Sequence, residues 1–194
     1  MEIAEFIPFV QTLFKNPEKS LGKYKGKGDM GDSFKLILIV SFISAIASAI
    51  NVLRDGLMGE GVVIEASVLV FITSLIFGVV FFFIFSGACY FVSKALGGTG
   101  TLGDTIYLFS LVYLLSIISS VASIIPCVGA LVSLVVGLYM LYLMGLVLKL
   151  VHKFSIIKSA IILIALMVAF GVLLFAFLII LGIALIALGL AAAA

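Results

Sequence analysis

The chain has 194 residues, of which 65% are apolar and only 10% charged, and its formal net charge is +2. Soluble domains average about 45–50% apolar and about 25% charged residues, so the composition excludes a domain that is solvated by water alone. The small net charge gives no reason to expect a nucleic-acid partner. Long unbroken apolar runs favour membrane-spanning helices over a closed β-barrel.

The first segment, residues 1–33, is predicted to be cytosolic or interfacial. Its apolar residues recur at helical spacing, which predicts a short amphipathic helix that lies in the lipid headgroup layer. Asn16, Pro17 and Glu18 are predicted to be the N-cap, the first residue and an acid in the first turn of a second helix. Lysines and glycines from 22 to 32 predict a loop. The stripe of the first helix consists of Ile3, Phe6, Ile7, Val10, Leu13 and Phe14.

Residues 34–194 are predicted to form an all-α membrane domain, a polytopic bundle of about five transmembrane helices. The third helix is expected to stop before Pro126, because proline disfavours a helical residue ahead of it, and 126–129 predicts a tight turn. The fifth run exceeds a hydrocarbon core of about 30 Å, so it should tilt, project beyond the bilayer, or break near Gly171 or Gly182. The predicted spans are 34–52, 66–93, 105–125, 130–148 and 159–190.

Basic residues fall on one side of the predicted spans. If the N-terminus is inside, the inner segments hold ten lysines and the outer loops hold only Arg54, which is a strong positive-inside pattern. The pattern therefore predicts a cytoplasmic N-terminus and a C-terminus outside. The inner lysines are Lys15, Lys19, Lys23, Lys25, Lys27, Lys35, Lys94, Lys149, Lys153 and Lys158.

Chemistry-bearing residues are scarce. The interior of the predicted spans contains no Asp, Glu, Lys, Arg or His, which argues against ion-coupled transporters and proton pumps. The chain has one histidine, so a histidine-based metal site is not expected, and no hydrolase or metalloprotease motif is present. We therefore predict no catalytic residues, no metal and no cofactor.

Two stretches, Gly26–Gly31 and Gly98–Gly103, match G-x-G-x-x-G. Dinucleotide binding by this motif needs a strand before the turn and a helix after it, and neither stretch follows a predicted strand. We expect both to be loops that bind no nucleotide. Thr101 and Asp104 approximate a capping box, which predicts Thr101 as the N-cap of the third span.

Small polar residues recur at helical spacing on the third span. Ser116, Ser120 and Ser123 are predicted to share one face, where small side chains allow close helix packing in lipid. The tight turn that follows predicts the fourth span as the antiparallel neighbour, with Gly137 or Ser133 opposite. A polar groove for a ligand is the alternative interpretation of the same face.

Basic residues cluster between the fourth and fifth spans. Lys149, His152, Lys153 and Lys158 are predicted to form a connector at the inner membrane surface. Side chains of this kind extend toward the interface and contact lipid phosphates. We therefore predict these four residues as lipid-headgroup contacts.

The order and spacing of several small motifs, from Leu96 onward, resemble the Yip (Ypt/Rab-interacting protein) membrane family. Asn16-Pro17, ahead of the first span, is similar to the asparagine-proline of the family's prokaryotic members. The matching segments are 97–107 (Gly-Gly-Thr-Gly-Thr-Leu-Gly-Asp-Thr-Ile-Tyr), 110–113 (Ser-Leu-Val-Tyr), Ile125-Pro126 with Gly129, 138–142 (Leu-Tyr-Met-Leu-Tyr), Gly145-Leu146, His152, Ser155 and 158–160 (Lys-Ser-Ala).

The resemblance implies a five-span helical domain with a cytosolic N-terminus. Eukaryotic relatives act in early secretory traffic, bind prenylated Rab-type GTPases and pair with sister proteins. This sequence lacks their Asp-Leu-Tyr-Gly-Pro motif and long cytosolic region, which puts small GTPase binding in doubt. These departures favour a bacterial or archaeal member, a multi-pass protein of the cell membrane, or of an endomembrane if the source is eukaryotic.

Two functional hypotheses follow. The leading one is a non-enzymatic membrane scaffold or adaptor that packs against itself or another membrane protein, while its basic inner face meets anionic membrane lipids. The alternative is a small transporter, channel subunit or lipid-handling protein that uses the serine face of the third span. A membrane enzyme ranks third.

Overall fold

The computed structural model describes residues 3–59 and 64–192, and within them all regular structure is helical. Five helical units are long and apolar enough to cross a membrane, which confirms the all-α fold class and the number of spans. The side of the membrane on which the N-terminus lies stays a prediction. The helices are α1 Ile3–Lys15, α2 Pro17–Gly22, α3 Met30–Gly59, α4 Ile64–Ala95, α5 Leu102–Tyr113, α6 Ser116–Ala122, α7 Val128–His152 and α8 Ile156–Ala192.

The first span is longer at both ends than the sequence predicted. Helix α3 begins at Met30, inside the predicted loop, and Asp32 places a favourable negative charge in its first turn. It also continues past Arg54, whose guanidinium donates to the Asp55 carboxylate (2.9 and 2.8 Å) and to the Ile124 carbonyl (2.7 Å). Because these acceptors satisfy its charge, Arg54 does not end the helix.

The third span is two helices, whereas the sequence predicted one from 105 to 125. Helix α5 ends at Tyr113 and α6 starts at Ser116. Across the break the amides of Leu115 and Ile117 donate to carbonyls three residues earlier, at 3.1 and 3.2 Å. No proline or glycine lies at the break. Leu114 and Leu115 are both buried, so tertiary packing covers this turn.

The connection between α6 and α7 is a classic γ-turn, as tight as the sequence predicted. The Val128 amide donates to the Pro126 carbonyl at 2.7 Å, and Cys127 has φ 64° and ψ −53°. Just beyond it, a Cβ on Gly129 would lie 2.5 Å from the Ala122 carbonyl oxygen. Only glycine allows the two helices to approach this closely.

The last helix is continuous. Helix α8 runs from Ile156 to Ala192 without a break at Gly171 or Gly182, so that alternative for the long fifth run is wrong. Its 37 residues span about 56 Å, which exceeds the hydrocarbon core. Tilting or projection beyond the bilayer therefore remain for this helix.

The core is centred on α5, which contacts α3, α4 and α7. Residues 105–112 of α5 are all buried, as are residues 143–148 of α7. Leu13 and Leu21, from α1 and α2, are buried in the same hydrophobic cluster. The N-terminal helices therefore belong to the bundle rather than standing apart from it.

The amphipathic helix α1 forms as predicted, and its apolar side packs on the protein. The Tyr139 hydroxyl of α7 donates to the Leu13 carbonyl at 2.9 Å, and the rings of Phe14 and Tyr139 stack with centroids 4.9 Å apart. Because Tyr139 lies near the middle of α7, the end of α1 is fixed against a spanning helix. Asn16 precedes α2 as predicted but makes no side-chain capping bond.

Candidate functional site

The serine face of the third span contacts α3. The Ser120 and Ser44 hydroxyl oxygens are 2.8 Å apart, and the Asn51 amide nitrogen donates to the Ser123 hydroxyl at 3.1 Å. Ser116 is on the same helix, and its hydroxyl is buried without a hydrogen-bond partner among the described residues. In lipid, polar side chains of neighbouring helices hydrogen-bond to each other. The geometry at Ser120 and Ser123 is that of a helix–helix contact.

The neighbour opposite this face differs from the one the sequence predicted. The fourth span was expected there, with Gly137 or Ser133 facing the serines. Instead α3 supplies the polar partners, and the fourth span meets α6 near the turn, where Gly129 approaches Ser123. Ser44 and Asn51 are separated by two helical turns and could have been recognised as a matching polar stripe on the first span.

His152 lies in the core rather than at the membrane interface. Its side chain is only 1% exposed, its Nε2 is 3.3 Å from the Thr105 hydroxyl, and the Tyr90 and Phe154 rings lie 5.9 and 5.7 Å away. Burial leaves the ring no access to headgroups, so the prediction of a lipid contact for His152 is corrected. The neighbouring lysines in the sequence concealed this packing.

The three lysines of the predicted connector differ in what they contact. Lys149, the last but three residue of α7, pairs with Glu18 at 2.8 Å. Lys158 donates to the Leu96 carbonyl at 2.8 Å and lies 4.2 Å from the Phe154 ring centroid. Lys153 is exposed, and it ends α7 in a left-handed conformation with φ 59°. Two of the three lysines therefore hold the bundle together as well as facing its surroundings.

The two glycine-rich stretches lie against each other. The Gly26 amide donates to the Asp104 carboxylate at 2.8 Å, and a Cβ on Gly28 would lie 2.9 Å from the Gly103 carbonyl oxygen. The Asp104 amide also donates to the Thr101 hydroxyl at 3.2 Å, which confirms Thr101 as the N-cap. Glycine serves here to allow close approach between two loops.

The second stretch also packs on His152. A Cβ on Gly98 would lie 2.5 Å from the His152 Nδ1, and one on Gly100 would lie 2.3 Å from a methyl carbon of Val151. Together with the Lys25 ammonium, which donates to the Leu150 carbonyl, these contacts close one end of the bundle. We call it the lysine-rich end, defined by the ends of α4 and α7 and the start of α8.

A lateral groove of about 570 Å³ opens between α4, α7 and α8. Its lining is almost entirely apolar and carries four aromatic rings. Two glycines, Gly137 and Gly171, lie in its wall with nothing within 4 Å of their Cβ positions, so the space in front of them is unfilled. The residues that line the groove are Phe81, Phe82, Phe85, Tyr113, Ser133, Leu134, Gly137, Leu138, Met140, Leu141, Met144, Met167, Phe170, Gly171 and Leu174.

Sequence reasoning missed this groove. Its walls come from three helices that are distant in the chain, so no local pattern marks it. One signal was available: Ser133 and Gly137 are separated by four residues, which is the small-x-x-x-small spacing of helix contacts in membranes. Among the described residues, no three His, Cys, Asp or Glu side chains come together as metal ligands.

The helices and their apolar surfaces define a multi-pass α-helical membrane protein. The family model for the Yip1 domain matches residues 12–179, so the match covers α2 to α7 and most of α8. The chain therefore belongs to the Yip family. No curated protein and no solved structure matches it.

Proposed function

We propose that this protein is a non-enzymatic membrane scaffold or adaptor that assembles through the lateral groove. The observation that carries the proposal is the unfilled space in front of Gly137 and Gly171, within the part of the chain that spans the membrane. A scaffold needs a shaped surface rather than reactive groups. The proposal requires no cofactor and no small GTPase.

The occupant we propose is helix α7 of a second copy. Exposed apolar side chains follow α7 at spacings of three and four, which is the pattern of a seam between two helices. Leu138 belongs both to this seam and to the groove wall, and it is 60% exposed. Because the seam and the groove adjoin, two copies related by a two-fold axis could each insert α7 into the other. The seam residues are Leu131, Leu134, Val135, Leu138 and Tyr142.

Membrane lipids are the second proposed partner. Lys94, Lys153 and Lys158 lie at the lysine-rich end, and Lys94 and Lys153 are exposed. Anionic headgroups are attracted by clustered lysines near a membrane surface, by about 1 kcal/mol for each side chain. This charge would orient the scaffold and hold it to the anionic leaflet.

The transporter, channel or lipid-handling alternative relied on the serine face. In the bundle the hydroxyls of Ser120 and Ser123 are engaged with Ser44 and Asn51 of α3. Hydroxyls that are paired within the protein are poorly placed to line a conduit. This arrangement favours the scaffold over the alternative.

Co-purification of two differently tagged copies in mild detergent tests the proposal. We expect the tags to recover each other, and we expect Gly137→Leu to reduce that recovery about tenfold because leucine fills the space that the partner would occupy. The matched control is Gly87→Leu, on α4 outside the groove, where the Cβ position is equally open.

Both variants should keep the thermal stability of the parent protein, since neither Cβ meets another atom within 4 Å. Recovery that Gly137→Leu leaves unchanged, or that Gly87→Leu reduces equally, would refute assembly through the groove. A protein that is monomeric at every concentration would refute the second copy as the occupant.

A further inference from the structure

A second cavity, of about 560 Å³, lies beside the junction of α1 and α2. Its lining includes Lys15, Lys19 and Lys23, and it includes no acidic residue. The three lysines are spaced four residues apart, so a nearly helical path places them on one side of the chain. The backbone supports that path, because the amides of Asn16 and Ser20 donate to carbonyls four residues earlier, at 2.8 and 3.0 Å.

These lysines lack a counter-charge within the part of the chain that the structure describes. None of the three takes part in its ion pairs, and Glu18, which lies between them in the sequence, pairs instead with Lys149. Like charges four residues apart on a helix repel each other. An anion in the cavity would relieve that repulsion.

Polar and aromatic groups complete the cavity wall. Asn16 makes no capping bond, so its side-chain amide is available to a ligand, and the Ser20 hydroxyl lies in the same wall. The Phe9 and Tyr24 rings meet edge to face, with centroids 5.5 Å apart, and form the floor. Three ammonium groups with amide and hydroxyl groups suit the oxygens of a phosphate.

We propose that this α1–α2 pocket binds the phosphate of an anionic lipid headgroup. A lipid fits better than a soluble phosphate because the pocket adjoins a spanning helix: next to Lys15, the Phe14 ring stacks on Tyr139 of α7 and remains 54% exposed. The acyl chains of a bound lipid could therefore follow that surface.

The inference rests on the lipid contact in the proposed function, and it names a different site for that contact. In the predicted connector, Lys149 and Lys158 already bond to groups of the protein. The lysines of the α1–α2 pocket have no such partners, so they are better placed to hold a headgroup. The inference does not depend on self-association.

Native mass spectrometry of the purified full chain tests the site, with phosphatidylglycerol as the probe in a neutral detergent. The variant Lys15→Gln/Lys19→Gln/Lys23→Gln should bind phosphatidylglycerol on the order of a hundredfold more weakly, since three lysine contacts are lost. The charge-matched control is Lys27→Gln/Lys94→Gln/Lys153→Gln, which removes three exposed lysines outside the pocket. It should bind like the parent protein.

Soluble probes identify the source of the phosphate. Inorganic phosphate and the deacylated headgroup, glycerophosphoglycerol, should fail to displace the lipid at equal concentration. Displacement by either would overturn the lipid assignment. The pocket is refuted if the pocket variant binds like the parent, or if both triple variants weaken binding equally.

Two further measurements keep the result unambiguous. The single variant Lys19→Gln leaves the fold least changed and should weaken lipid binding roughly fivefold. Co-purification of tagged copies should be unchanged in the pocket variant, so a failure of lipid binding and a failure of self-association give different results.

Discussion

Helix α7 divides into two regions that differ in what covers them. Residues 143–148 are buried against α5 and the lysine-rich end, and Leu143 is 0% exposed. Residues 130–142 face the lateral groove and the surroundings, and Leu138 is 60% exposed. Both regions are equally apolar, so hydrophobicity alone does not set their burial.

The difference comes from what the chain supplies to each region. At the closed end, α5, α2 and the two glycine stretches pack around the helix, and Gly98 and Gly100 let the loop after α4 reach His152. At the open end, Gly137 has no neighbour in front of it. The closed region is finished by its own chain, and the open region is the part that a second molecule can complete.

Truncating the closed core should have the largest effect. Phe109→Ala removes a fully buried ring of α5, and we expect it to cost about 3–5 kcal/mol of unfolding free energy. Leu138→Ala, in the open region, should stay within about 0.5 kcal/mol in monomeric protein. Unfolding by a denaturing detergent measures both. Equal losses would mean that the two regions are packed alike.

Adding one methyl group should distinguish the regions next. Gly98→Ala places a Cβ 2.5 Å from the His152 Nδ1 and 2.8 Å from the Ser93 carbonyl oxygen, so we expect a loss of about 1–3 kcal/mol. Gly137→Ala meets nothing and should leave stability unchanged or raise it by up to about 1 kcal/mol. Thermal melting of the two variants gives the comparison, and a stable Gly98→Ala protein would contradict close packing at the lysine-rich end.

The turn before the open region holds local strain. Cys127 occupies a positive φ of 64° in the γ-turn, a conformation that glycine adopts without penalty. Cys127→Gly should therefore stabilise the protein by about 1 kcal/mol. Cys127→Ala, which keeps the Cβ, is the control and should not. If glycine and alanine gave the same melting temperature, the strain would be absent.

The smallest expected effect concerns the polar contact between α3 and α6. A double-mutant cycle with Ser44→Ala and Ser120→Ala should give a coupling energy of about 0.6 kcal/mol, the average for hydrogen bonds between membrane helices. The bond joins the first span to the third beside the open region. Additive single losses would show that the two hydroxyls do not interact.

The sequence predicted the spans well because their signal is local. Some twenty apolar residues in a row identify a spanning helix wherever it packs, and Pro126 marks the turn after the third span. The Thr101 N-cap was predictable for the same reason, since its partner Asp104 is three residues away.

What the sequence could not predict depends on distant contacts. The break at Leu114 and Leu115 has no glycine or proline to signal it, and it lies in buried surroundings built by other helices. His152 sits beside lysines in the chain, and its burial depends on the loop after α4 folding back over it. The serine face was recognised from its spacing, yet its neighbour depended on polar residues 72–76 positions earlier.

Cysteine cross-linking in native membranes tests the difference between the two regions most directly. Leu138→Cys, in a Cys127→Ser background, places a thiol at the groove, and Val80→Cys places one on α4 at a similar distance from the lysine-rich end, exposed by 50% but outside the groove. Oxidation should give a disulfide-linked dimer with Leu138→Cys and little with Val80→Cys. Equal yields at the two positions, or no dimer from Leu138→Cys, would contradict the claim that a second copy completes the open region.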